Sequence, residues 1–141
     1  MHTLISLVLG AALALFDPGE ELPMSLDWTR EREPPYPNLV AMLRHDSGAT
    51  LTVGRQFLGV GEDGESFARG NAQALVRMGF KVRRDGHKLD ARAGDGERSV
   101  HQEYVVHATI GWVVTLSGTP AQIRALRRDF AAVVARIEEA R

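Results

Sequence analysis

Between Ser99 and His107 the chain reads SVHQEYVVH, and His101, Glu103 and His107 are its best-placed side chains for chemistry. Imidazole and carboxylate are both zinc ligands, so the first question is whether this trio could hold an ion. On a strand, alternate residues share a face and each step rises about 3.4 Å, which puts His101 about 7 Å from Glu103 and about 20 Å from His107. Ligand atoms lie about 2.0 to 2.2 Å from zinc, so one ion cannot take all three, and a site would have to recruit His45 or His87 from a neighbouring strand. The competing reading is a half-buried strand. Val100, Tyr104, Val106 and Ala108 would then face the core, leaving His101, Glu103 and His107 for solvent or a partner.

Other candidates are weaker. The basic run KVRRDGHKLDAR, with Lys81, Arg83, Arg84, Lys88 and Arg92, could meet phosphate or an acidic protein. It also reads as a charged hairpin whose cations discourage edge-to-edge pairing. GVGEDGE and GDGE are turn chemistry: no Gly-Lys-Ser/Thr follows to make a phosphate loop, and the spaced acidic ligands of a calcium loop are absent. None of Ser25, Ser47, Ser66, Ser99 and Ser117 sits in a G-x-S-x-G elbow. Trp28, Tyr36 and Trp112 read as core or loop anchors, with Tyr36 and Trp112 also placed to line a groove.

The elements that must position these residues belong to a single soluble α+β domain. A length of 141 residues allows one core, and a formal charge of -1 with 25% charged residues gives no basic excess for nucleic acid. Cysteine is absent, which removes disulfides, thiol nucleophiles and zinc-thiolate sites. Residues 1–16 carry the uncharged run TLISLVLGAALALF, too short for a stable membrane span, which needs about 20 apolar residues. Its length and Ala12-Leu13-Ala14 fit a signal peptide, although the first residues hold no Lys or Arg. Packing of the run on the domain is the alternative.

From residue 17 onward, LPMSLDW reads as a strand with Leu22, Met24, Leu26 and Trp28 on one face, followed by a stiff proline-rich connection. LVAMLRH and ATLTVGRQF flank a DSG turn, which predicts a hairpin over 39–57 with Leu51, Val53 and Phe57 on one face and Arg55 interrupting it. Asp63 or Ser66 can cap a helix carrying Phe67, Ala68, Ala72, Leu75, Val76 and Met78, with Gly79 ending it. FKVRR, HKLDARA, RSVHQEYVVHATI and WVVTLSG follow as strands. Thr119, Pro120 and Gln122 open the final helix with a capping box, and Ile123, Leu126, Phe130, Val133, Val134 and Ile137 form its apolar stripe. A mostly antiparallel sheet packed with a central helix and a C-terminal amphipathic helix, an α/β sandwich, buries both stripes.

The opening LPMSLDW, the hairpin VAMLRHDSGATLTVGRQ and the run EYVVHATIGWVVTLSGTPAQIRALRRDFAAVVARI resemble the PsbP-like and DcrB-like small α/β sandwich domains over most of residues 20 to 138. The resemblance implies a non-catalytic binding or accessory role through protein contacts, with no cofactor and no metal. A periplasmic or extracellular location follows if residues 1–16 are a signal. Its DcrB-like branch implies the alternative of a cytoplasmic chaperone or adaptor for a secretion effector, which predicts an exposed hydrophobic groove between sheet and terminal helix. The candidate partner-contact surface is Tyr36, Arg55, His101, Glu103 and Trp112. The rival from another class is a metal-dependent protein using His101 and Glu103.

Overall fold

The computed structural model describes residues 25–33 and 36–139. The expected signal segment, Leu22 and Met24 lie outside the described residues. Among the described residues seven antiparallel strands form one sheet: β1 (Trp28–Arg30), β2 (Leu39–His45), β3 (Thr50–Phe57), β4 (Lys81–Asp85), β5 (Lys88–Arg92), β6 (Ser99–His107) and β7 (Ile110–Gly118). Their order is β1-β2-β3-β7-β6-β5-β4. Every sequential pair except β3–β4 closes through a short turn or loop, and the crossover from β3 to β4 carries helix α1 (Gly64–Arg77). Two further helices, α2 (Pro120–Ala125) and α3 (Arg127–Glu139), follow β7. The sheet is thus covered by α1 on one face and by α2 and α3 on the other, which is the expected α+β sandwich.

Local chemistry sets the helix starts. The Asp63 carboxylate accepts from the Ser66 N–H at 2.8 Å while the Ser66 hydroxyl accepts from the Asp63 N–H, a complete capping box. That Ser66 N–H is the main influence holding the Asp63 carboxyl below its ordinary pKa. Thr119 and Gln122 form a second box ahead of Pro120, and the Gln122 amide also donates to the Ser47 carbonyl at 2.7 Å, which ties α2 to the β2–β3 turn.

Two apolar clusters meet back to back across the sheet. Leu43, Leu51, Val53, Val114 and Leu116 receive Ile123, Leu126, Phe130, Val133 and Ile137 on one face. Phe67 and Ala68 of α1 lie on Leu89, Ala91, Val100 and Tyr104 on the other. Leu51, Val53 and the whole terminal stripe are buried as their periodicity predicts. Several expectations are corrected. Leu26 is solvent-exposed in the turn before β1, and Phe57, Val76 and Met78 also face solvent, because each lies at an element end that its covering helix or sheet does not reach. The terminal helix bends at Leu126, whose φ of −103° and ψ of 7° separate α2 from α3. The strand in RSVHQEYVVHATI ends at His107: Ala108 adopts φ 55° in the turn between β6 and β7, so it is an exposed turn residue and not part of the core.

Candidate functional site

The residues singled out on β6 do come together with partners, but inside the molecule. β6 is an inner strand with β5 and β7 paired along its edges, and helices cover both of its faces, α1 on one and α2 and α3 on the other. Val100 and Tyr104 point toward α1 as expected, and alternation sends His101, Glu103, Val105 and His107 under α2 and α3. His101 is 3% exposed, with its ring edge-on to Phe130 of α3 at a centroid distance of 4.9 Å. The expectation of a wet strand face is therefore overturned. Helix α3 takes the place reserved for solvent.

The two nitrogens of His101 each meet a carboxylate. Nδ1 lies 2.7 Å from Oδ1 of Asp90 on β5, and Nε2 lies 3.0 Å from Oε2 of Glu103. Asp90 also faces the Arg127 guanidinium at 3.6 Å. An ionised carboxylate only accepts, so two such partners require an N–H at both ring positions, which is the imidazolium. Burial works against that charge, but the hydrogen bonds to Glu103 and Asp90 outweigh it and raise the His101 pKa above its ordinary value. Burial likewise opposes the Glu103 charge, and the His101 hydrogen bond with nearby Lys88 brings its pKa below the ordinary value.

This arrangement is an ion cluster with all its bonds made. Both ring nitrogens are taken up by carboxylates, and among the described residues no three His, Asp or Glu side chains are gathered around a common point for an ion. His45 and His87 are not recruited. His45 bonds the Ser47 hydroxyl at 2.8 Å and packs edge-on to Trp28, and the His87 carbonyl accepts from the Tyr104 N–H. His107 lies 3.1 Å from the Ile137 carbonyl and fastens the last turn of α3 to the end of β6. On the opposite face the Tyr104 hydroxyl donates to Gln102, whose amide donates to Thr115 at 3.1 Å. Burial pushes the Tyr104 phenol far above its ordinary range.

Asp90 and Arg127 are the members of the cluster that spacing along one strand could not supply. One signal pointed to Asp90. In the observed register Asp90 stands opposite His101 and Lys88 opposite Glu103, a complementary charge pattern across two adjacent strands.

The remaining surface candidates separate. Trp112 is buried beneath Arg55, whose guanidinium carbon lies 5.9 Å from the ring centroid. Its indole therefore belongs to the core and only Arg55 reaches the surface. Tyr36 is 64% exposed, and Phe57 at 74% and Val60 at 97% are exposed residues that sequence periodicity misassigned or passed over. The Arg55 N–H donates to the Asn38 carbonyl at 3.0 Å, and β2 and β3 pair at Leu39 and Gly54, so the segments bearing Tyr36, Phe57 and Val60 leave the same end of the sheet.

No family model matches the sequence, and no curated protein matches it. Among solved structures, the cyanobacterial PsbP of Synechocystis sp. PCC 6803 superposes with a TM-score of 0.49 at 13% identity, over 80% of this chain and 82% of that one. The likeness is to PsbP, in fold. At that identity it transfers no residue role. A protein of Bacteroides thetaiotaomicron gives a TM-score of 0.35 at 9% identity, over 67% of this chain and 36% of that one. Among the described residues no helix is long and apolar enough to cross a membrane.

Proposed function

We propose that this chain is a non-catalytic accessory domain that works through protein contacts outside the cytoplasm. The observation that carries this reading is a separation of chemistry from surface. His101 is closed under α3 with both ring nitrogens bonded internally to Asp90 and Glu103, whereas Tyr36, Phe57 and Val60 present large apolar side chains to solvent at one end of the sheet. Exposed aromatic and aliphatic groups gathered at one site favour a protein contact. Arg55, beside them and stacked on the Trp112 ring, would form the polar edge of that contact. Export rests on the run TLISLVLGAALALF ahead of the domain.

A chaperone for apolar helices would need an apolar groove beside the terminal helix. The groove found there is lined by Val82, Ala91, Val100, Pro120 and Ile123 together with Lys81, Arg83, Arg92, Arg124 and Arg127, so the adaptor alternative is decided by the location and contact experiments below.

A photocrosslinking residue at Phe57, compared with one at exposed Arg128 on α3, tests the contact in the native host. The expected result is one discrete protein adduct from position 57 and none from 128. Equal labelling at both, or none at 57, would overturn the assignment of this surface. Intact mass in the fractionated host tests export: a chain beginning near Leu15 outside the cytoplasm is expected, and a full-length cytosolic chain would return the cytoplasmic adaptor reading.

A further inference from the structure

Edge strand β4 is flanked by a groove on each side. On the α2–α3 face a cavity of about 440 Å³ runs between the β4–β5 hairpin and the helices, with Lys81, Arg83, Arg92, Arg124 and Arg127 around it and Asp90 as its single carboxylate. Asp90 is already shared between His101 and Arg127. Among the described residues no carboxylate lies within ion-pair distance of Lys81, Arg83, Arg92 or Arg124. On the α1 face a second cavity of about 420 Å³ lies against Ala72, Val76 and Val82, with the Arg69, Arg77 and Arg84 side chains bordering it. Between the two, β4 ends the sheet, and its outer backbone groups pair with no strand among the described residues.

We infer that β4 is a docking edge for an extended acidic segment of a partner protein, one whose acidic and apolar side chains alternate. A strand added to an open edge takes affinity from main-chain hydrogen bonds and specificity from the pockets that receive its alternate side chains. Side chains of such a strand repeat on one face about every 7 Å, the same period that separates Lys81 from Arg83. Its acidic residues would therefore meet the cationic groove while the residues between them rest on Val76, Val82 and Ala72 across the sheet. The inference draws on the accessory reading only in taking the ligand to be a protein segment.

Cations on an edge strand can also serve to repel other strands. That role accounts for Lys81, Arg83 and Arg84 on β4 itself, but not for Arg92 from the inner strand and Arg124 and Arg127 from the helices converging on the same groove. Nucleic acid is disfavoured because no aromatic side chain lines either groove to stack a base.

The test titrates the chain with a fluorescent Glu-Val-Glu-Val-Glu peptide, with its Gln-for-Glu analogue, and with inorganic phosphate as competitor, following anisotropy and the β4 amide resonances. Expected are salt-sensitive binding of the Glu peptide with shifts along Lys81–Asp85, affinity for the Gln analogue lower by about tenfold or more, and a comparable loss in an Arg83→Glu/Arg124→Glu variant. Arg128→Glu, which alters an exposed cation outside the groove, should leave affinity within about twofold. Absence of binding, equal binding of the Gln analogue, or equal loss in Arg128→Glu would overturn the inference. Displacement of the peptide by stoichiometric phosphate would overturn it in favour of a small-anion site. Neither outcome touches crosslinking at Phe57, so the accessory reading stands or falls separately.

Discussion

At the scale of single residues, the side chain most suited to chemistry has been enlisted in holding the fold. His101 is clamped between Asp90 and Glu103 under Phe130, and the pH dependence of stability follows from the opposite pKa shifts this gives His101 and Glu103. Because the His101 pKa is raised on folding, its contribution is complete below the unfolded value of 6.5 and is lost as pH rises through the folded value. Because the Glu103 pKa is lowered, its contribution is complete above the unfolded value of 4.5 and is lost as pH falls through the folded value. The cluster therefore stabilises most between those two values. Replacing His101 by Gln leaves Glu103 enclosed without its cation and should cost about 3 kcal/mol at pH 5.5, with the difference from the parent chain narrowing toward pH 9. Urea unfolding across that range measures it; a difference that stays constant with pH would show that the ring is neutral in the folded state. The chain itself gave incomplete notice of this role, because SVHQEYVVH is covered on both faces. His101 is bonded from β5, Gln102 from β7 and Glu103 by His101 itself, so alternation within β6 alone could not say which of its faces was wet.

At the scale of elements, what was legible depended on whether the signal was local. The Thr119–Gln122 box, the terminal apolar stripe and the DSG hairpin are each written in a few consecutive residues, and each is found where expected. The bend at Leu126 and the turn at Ala108 were not legible, since neither position carries a Pro or Gly to mark it. Helix α1 shows the same division between local and distant constraint. A methyl at Gly111 of β7 would meet the Phe67 ring at 2.6 Å and a Leu58 methyl at 2.7 Å, so this glycine sets how closely α1 approaches the sheet. Gly111→Ala should destabilise by about 2 kcal/mol through overpacking. Gly70, within α1, has nothing within 4 Å of such a methyl, and Gly70→Ala should stabilise by about 0.5 to 1 kcal/mol through helix propensity alone. Urea midpoints of the two variants, moving in opposite directions, would separate the roles; a shift of the same sign in both would mean that α1 tolerates displacement from β7.

At the scale of the whole molecule, the two apolar clusters share β6 and β7 as a common wall. Tyr104 and Val100 face α1 while Val105, Trp112, Val114 and Leu116 face α3, and the strands bearing them are hydrogen-bonded to each other from Ser99 to His107. Neither cluster can lose its wall without the other. Cooperative unfolding of both halves follows, and the positions of the tryptophans make it measurable. Trp28, whose indole N–H donates to Asp129 at 2.8 Å, and Trp112 both lie on the α3 side, so tryptophan fluorescence reads that cluster, whereas far-ultraviolet dichroism reads every element. Phe67→Ala empties the α1 side, which should cost about 3 to 4 kcal/mol. If the shared wall couples the halves, the fluorescence midpoint in urea moves by the same amount as the dichroism midpoint, although no tryptophan lies in the altered cluster. Were dichroism to fall first while fluorescence kept its parent midpoint, α1 with the β4–β5 hairpin would be a separately unfolding unit. The docking edge at β4 would then sit on the less stable half of the molecule.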